Sequence, residues 1–221
     1  YKRVERPYQE AGRQVRRRKR KKVPVGQRQP LPRPSAANQV WSMDFVFDRT
    51  PEGRAIKCLT IVDDAPPKAV AIEVERAISG QGIARVLDRL AVQRGLPRVI
   101  RTDNGRKFCG KAMVAWAHEK GISLRLIEPG KPNQNAFIER FNRTYREEVL
   151  NAFAFDSLQQ ARQLTHAWMW VYNNERPHSS LGYQTPTQFL LKYGKLSEFP
   201  TFQQDSNSNS DWNSLVLGVA S

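Results

Sequence analysis

This chain of 221 residues is poor in what a disulfide- or zinc-stapled fold requires. Its two cysteines, Cys58 and Cys109, are too few for a disulfide framework or a four-ligand zinc site. The three histidines, His118, His166 and His178, are too widely spaced to make up the deficit. No apolar run approaches the ~18 residues of a membrane-spanning helix, and no secretory signal opens the chain. Acidic side chains are scarce as well: 21 Asp and Glu stand against 36 Lys and Arg, for a formal charge of +15. What remains, with 39% hydrophobic residues, is the composition of a folded, soluble, intracellular protein long enough to bury a real core.

The positive charge is concentrated. Residues 1–34 hold thirteen Lys or Arg and two Glu, so +11 of the +15 sits there. The block Arg16-Arg17-Arg18-Lys19-Arg20-Lys21-Lys22 repels itself and reads as an arm that meets polyanions through counterion release from phosphates. A solvated tail or a targeting signal would carry the same composition. Pro24, Pro30, Pro32 and Pro34 then mark an extended linker. The expected organisation is a basic arm and linker over residues 1–37, a folded core over 38–195, and a disordered Ser/Asn-rich tail over 196–221.

Within the core, Trp41, Met43, Phe45 and Phe47 alternate with Ser42, Asp44 and Val46, a period of two that predicts a strand. Ile56–Val62 and Ala69–Val74 read as two further strands of an antiparallel meander. The pattern then changes to helix (Ile83, Val86, Leu87, Leu90), strand (Arg98–Asp103), helix (Met113–Lys120) and strand (Ser123–Glu128). Such alternation implies parallel crossovers. A long helix is predicted from Gln134 to Asn151, another from Ser157-Leu158-Gln159-Gln160 towards Asn174, and a short last one after Thr185-Pro186. The fold class is α/β, a mixed five-stranded sheet flanked by helices.

Three carboxylates sit oddly in this pattern. Asp44 lies inside an apolar strand, Asp103 ends a strand before the sharp Asn104-Gly105 turn, and Glu139 opens the long helix. Singly, each has an ordinary reading: an edge residue, a turn former, and a glutamate favoured by the helix dipole. Together they suit a basic protein that handles phosphodiesters. Two divalent ions about 4 Å apart can activate water and neutralise the leaving oxygen, and they need a cluster of bridging carboxylates. Hard oxygen ligands suit Mg²⁺ or Mn²⁺. Glu139, Asn142, Arg143 and Arg146 share one helix face, so that face can hold metal at one end and DNA phosphate along the rest. An ordinary solvated face with a Glu–Arg pair would look the same. Lys131, just ahead of the helix, and Asn135, in its first turn, are the other candidate DNA contacts.

Trp41-Ser42-Met43-Asp44-Phe45, Thr102-Asp103-Asn104-Gly105 and Pro129-Gly130-Lys131-Pro132 through Phe141-Asn142 resemble the catalytic core of DDE-type insertion-sequence transposases. The nearest likeness is to the second-reading-frame product of insertion sequence family three, whose core is similar to retroviral integrase. Thirty-five residues separate Asp103 from Glu139, the spacing that names the motif. The segment Tyr172-Asn173-Asn174-Glu175-Arg176-Pro177-His178 and the later Thr185-Pro186 also match. The resemblance implies a ribonuclease-H-like fold, Asp44, Asp103 and Glu139 as the metal-binding catalytic triad, and Arg146 as the basic residue that completes the signature. It implies Mg²⁺ or Mn²⁺ as cofactor, two ions, and double-stranded DNA, both element ends and target, as partner. The implied reaction is hydrolysis at an element end followed by attack of the freed 3′-hydroxyl on a second phosphodiester. It further implies a homo-oligomer, an upstream helix-turn-helix protein or fusion, and a bacterial cytoplasmic, nucleoid-associated location with no membrane. Lys107, before Phe108, reverses the acidic charge common at that position in the family. That reversal motivates a second function, a DNA-binding remnant that does not cut; a nuclease of the same fold without strand transfer is a third.

Overall fold

The computed structural model describes residue 34 and residues 36–65, 67–127 and 135–193. The basic arm Arg16–Lys22, most of the Pro-rich linker, Lys131 and the polar tail lie outside the described residues. The elements run β1 (Val40–Arg49), β2 (Ala55–Asp63), β3 (Lys68–Glu75), α1 (Gly80–Arg94), β4 (Val99–Thr102), α2 (Lys111–Glu119), β5 (Ser123–Leu126), α3 (Ala136–Tyr145), α4 (Leu158–Asn174) and α5 (Pro186–Tyr193). The five strands form one sheet in the order β3-β2-β1-β4-β5. β1, β2 and β3 pair antiparallel, whereas β4 lies parallel to β1 and to β5. The predicted mixed sheet is therefore the one observed.

Alternation along β1 sends its side chains to two cores. Trp41 and Met43 join Leu59, Ile61 and Ile100 under α1 and α2. Val46 joins Cys58, Val62, Ile72 and Val74 under α3 and α4, together with Phe141, Tyr145, Trp168 and Tyr172. Trp168 and Tyr172 thus fill a core, as their helical spacing suggests, while neighbouring Trp170 is 40% exposed. Tyr145 shares its hydroxyl with Thr165 Oγ1 at 2.7 Å and lies 3.6 Å from Cys58 Sγ, a buried link between β2, α3 and α4. Asn173 fastens the outer strand: its amide donates to Ala69 O at 2.9 Å and its carbonyl accepts from Ala69 N at 3.0 Å.

The helix ends follow their sequence signals. Ser157 Oγ accepts the Gln160 N–H at the start of α4. Thr185 and Gln188 bond reciprocally at the start of α5, closing a Thr-x-x-Gln box. The predicted single helix to Asn151 is not continuous α. After Tyr145 the chain widens into a π-turn over Arg146–Leu150, with Asn151 N donating to Arg146 O. A wider turn carries Leu150 round to the side of Tyr145 and Val149, and all three are buried; at α-helical pitch Leu150 would face away.

Candidate active site

β4 ends at Thr102, which pairs with Met43. The next residue on each strand is a carboxylate, Asp44 on β1 and Asp103 on the loop that leaves β4. Parallel pairing therefore brings the two to the same level of the sheet. β1 runs on to Arg49 with β2 on one side and no β4 partner on the other. The loop 103–110 packs here through Phe108, whose ring stacks on Phe45 with centroids 4.9 Å apart.

Asp44 faces the α3 side, half-buried. Its Oδ2 accepts from Asn142 Nδ2 at 2.8 Å, and its Oδ1 accepts the Phe45 N–H at 2.7 Å. Burial pushes its carboxyl up to about 6 against those two hydrogen bonds, and the negative charges of Asp103 and Glu139 add to the rise. Asp44 thus feels both other members of the predicted triad. Asp103 and Glu139 are exposed, at the loop and on the first turn of α3. Among the described residues no three Asp, Glu, His or Cys side chains converge tightly enough to hold an ion as they stand. The donor set nonetheless fits a hard divalent cation: oxygen only, anionic, and with negative charge left uncompensated around Asp44.

The Asp-Asn-Gly turn has a task for each residue. Asp103 Oδ1 accepts the Gly105 N–H at 2.9 Å, and Asn104 Nδ2 donates to Ile127 O at 2.9 Å, tying the loop to the end of β5. A Cβ at Gly105 would stand 2.8 Å from Asp103 Oδ1. Gly105→Ala should therefore displace the carboxylate rather than the fold. We expect strand cleavage to fall about 10- to 100-fold, as misplaced catalytic groups do, with a melting temperature close to wild type. A melting temperature that falls in step with activity would show the glycine to be structural.

The remaining predicted contacts are placed as follows. Asn142, assigned from sequence to DNA, holds Asp44. Arg146 Nη2 donates to Phe47 O at 2.7 Å, pinning α3 to β1. Arg143 is exposed, and Asn135 is buried at the start of α3. The link between Asn142 and Asp44 spans 98 positions. Helical spacing put Asn142 on the Glu139 face, but nothing local could reveal its partner.

Asp63 and Asp64, the other acidic pair, lie away from the triad. Asp63 pairs with Trp41, three positions before Asp44, or about 10 Å along the strand. Asp63 Oδ2 accepts the Asn38 N–H at 2.8 Å. Asp64 Oδ2 accepts from Ser42 Oγ and from Arg101 Nη1, both at 2.9 Å. Both aspartates are buried, and burial pushes both carboxyls up, Asp64 to about 6.

Two integrase core domain models match the chain, over residues 34–132 and 120–186. An uncharacterized 31.7 kDa protein of insertion element IS407 from Burkholderia multivorans is 45% identical over 93% of this chain and 74% of its own length. An uncharacterized 39.2 kDa protein of insertion element IS476 from Xanthomonas euvesicatoria is 49% identical over 87% of this chain. The chain spans only 56% of that relative. Among solved structures, the HTLV-2 integrase catalytic core domain in complex with magnesium (trimeric form) superposes with a TM-score of 0.55 at 16% identity. That match covers 70% of this chain and 97% of the other, and it shows a shared ribonuclease-H-like fold.

Proposed function

The chain belongs to the integrase-core family of insertion-element transposases, and from that premise we propose that Asp44, Asp103 and Glu139 are its catalytic triad. The reaction is metal-dependent hydrolysis at an element end, followed by attack of the freed 3′-hydroxyl on a phosphodiester of a second DNA strand, which forms a new P–O bond and releases that strand's own 3′-oxygen. The observation that carries this reading is the pairing of Met43 with Thr102, which sets Asp44 and Asp103 level with each other, together with the bond from Asn142 of the glutamate-bearing helix to Asp44. It is supported by the HTLV-2 integrase catalytic core, a protein of the same fold whose structure was solved in complex with magnesium.

Asp44, Asp103 and Glu139 would hold Mg²⁺ or Mn²⁺, two ions, which when bound supply an activated water and charge neutralisation at the leaving oxygen. The chain's own residues set the geometry. Asn142 fixes the rotamer of Asp44 across the gap between helix and strand. The Gly105 N–H and the Asn104 tether fix the Asp103 loop. Arg146 anchors the end of the glutamate-bearing helix to β1. No covalent protein–DNA bond is required, so no serine or tyrosine nucleophile is assigned. Double-stranded DNA is the partner, with Arg143 and the arm Arg16–Lys22 supplying sequence-blind phosphate contacts, and a homo-oligomer is expected to bring two DNA ends together.

The test is incubation of the protein with labelled duplex carrying an element end, in Mg²⁺ and in Mn²⁺. Nicked ends and joined products are expected. Nicked DNA without joined products would leave a nuclease of the same fold. DNA that is retarded but never cut would leave a binding remnant.

A further inference from the structure

The side of β1 opposite Asp44 carries a second feature that the triad does not use. Phe45 points away from Asp44 and stacks on Phe108 with ring centroids 4.9 Å apart. Lys57, one of the few charged residues inside β2, lies with its Nζ 3.4 Å from the Phe45 ring centroid and 5.3 Å from that of Phe47. Lys107 reaches the same ring from the loop 103–110, its Nζ 5.9 Å from the centroid. The two ammonium groups converge on one aromatic face. Burial, with the neighbouring Lys107 charge, pushes the Lys57 amine down to about 8.

Two ammonium groups held together attract an anion, and the acids nearest Lys57 on β3 are already engaged. Glu75, which pairs with Lys57 across the sheet, is engaged by Arg162. Glu73, the next acid on β3, is engaged by Arg89. Lys57 is largely covered (6% exposed), but its Nζ lies beside Phe47, which is 59% exposed. A cation pair next to an exposed aromatic ring is the equipment for a nucleic-acid strand, ammonium for phosphate and ring for base.

The position relative to the triad is set by the gap in the sheet. Because β4 stops at Thr102, the edge of β1 after Met43 has no β4 partner, and Phe108 of the loop 103–110 stacks on Phe45 there. The segments that bear Asp44 and Asp103 therefore also bear Phe45 and Lys107. We propose that Lys57 and Lys107 form a phosphate clamp for the DNA strand that enters or leaves the active site past Phe47. The proposal rests on the reading above that this chain acts on DNA, and it adds a subsite to it.

Lys107 is exposed and can be changed without opening the core. Equilibrium binding to duplex carrying an element end should be measured across a salt series for wild type, Lys107→Gln and Lys107→Glu, alongside thermal melting. For Lys107→Gln we expect a loss of about 3- to 10-fold in affinity at moderate salt and a shallower log–log salt slope by about one. Lys107→Glu should lose more, because it neutralises Lys57 as well. Both variants should melt no lower than wild type, since each removes a like-charge contact. Unchanged affinity and slope would overturn the clamp while leaving DNA action intact. Weaker binding accompanied by a lower melting temperature would overturn it too, by showing a folding effect. A wild-type chain that binds no DNA would overturn both readings.

Discussion

Asp44→Asn, Asp103→Asn and Glu139→Gln are each expected to abolish strand cleavage, by on the order of 10³-fold or more, while DNA affinity stays at or slightly above that of wild type. The magnitude follows from losing an anionic ligand whose job is to hold ions that provide several kcal/mol of transition-state charge stabilisation. The separation of binding from chemistry follows from charge: removing a carboxylate beside DNA removes repulsion. Asp44→Asn is the sharpest of the three, because its amide oxygen can still accept the Phe45 N–H, and an Asn142 amide turned over can accept from its new N–H. Its failure would be chemical rather than structural. Wild-type cleavage by any one variant in Mg²⁺, measured on end-labelled duplex, would remove that residue from the triad.

The second large effect is on stability. Arg101→Met should lower the free energy of unfolding by about 2 kcal/mol near pH 7.5, because Asp64, ionised beside Arg101 at that pH, is left buried with only Ser42 bonded to it and holds its proton instead. The pH dependence identifies the cause. The folded-state carboxyl of Asp64 already lies near 6, above its ordinary value, chiefly through burial. A raised acid of this kind stabilises the fold below the unfolded-state pKa, and that contribution is lost as pH rises through the folded-state one. Without Arg101 the folded-state value climbs further, so the deficit should be small near pH 5 and grow steadily towards pH 7.5. Adding Asp64→Asn to Arg101→Met should restore much of the loss at pH 7.5. Urea denaturation at the two pH values measures all three. A deficit that does not change with pH would mean that Arg101 acts through its packing alone.

Much of this molecule was legible in the sequence, for reasons that differ by element. The period-two run from Trp41 to Phe47 and the helical spacing from Ile83 to Leu90 are local signals, and both elements formed where they pointed. Strand directions followed from connection rules: short links made β1–β3 antiparallel, and helical crossovers made β4 and β5 parallel. The candidate triad could be read because chemistry confined it to acids in unusual places. What could not be read depends on distance in three dimensions. The Asn142–Asp44 bond and the convergence of Lys57 with Lys107 join residues far apart in the chain. A lysine inside the apolar strand around Ile56 and Cys58 was the available hint of the latter. The π-turn after Tyr145 was equally hidden, since Arg146–Leu150 carries good helix formers and only the needs of the core widen it. Asp63 and Asp64, a second pair of acids at a strand end, have an architectural use, buried and bonded to Asn38, Ser42 and Arg101.

The clasp of Asn173 on Ala69 bears on how copies of this chain can meet. An outer strand such as β3 offers a row of unsatisfied amides and carbonyls to any neighbour, which is how sheets zip together into aggregates. Both polar groups of Ala69 are occupied by one side chain from the covering helix, so the row is interrupted near its start. A second copy could not lay a strand along the full length of this border without first dislodging that amide. Self-association is thereby steered away from this border and towards other surfaces.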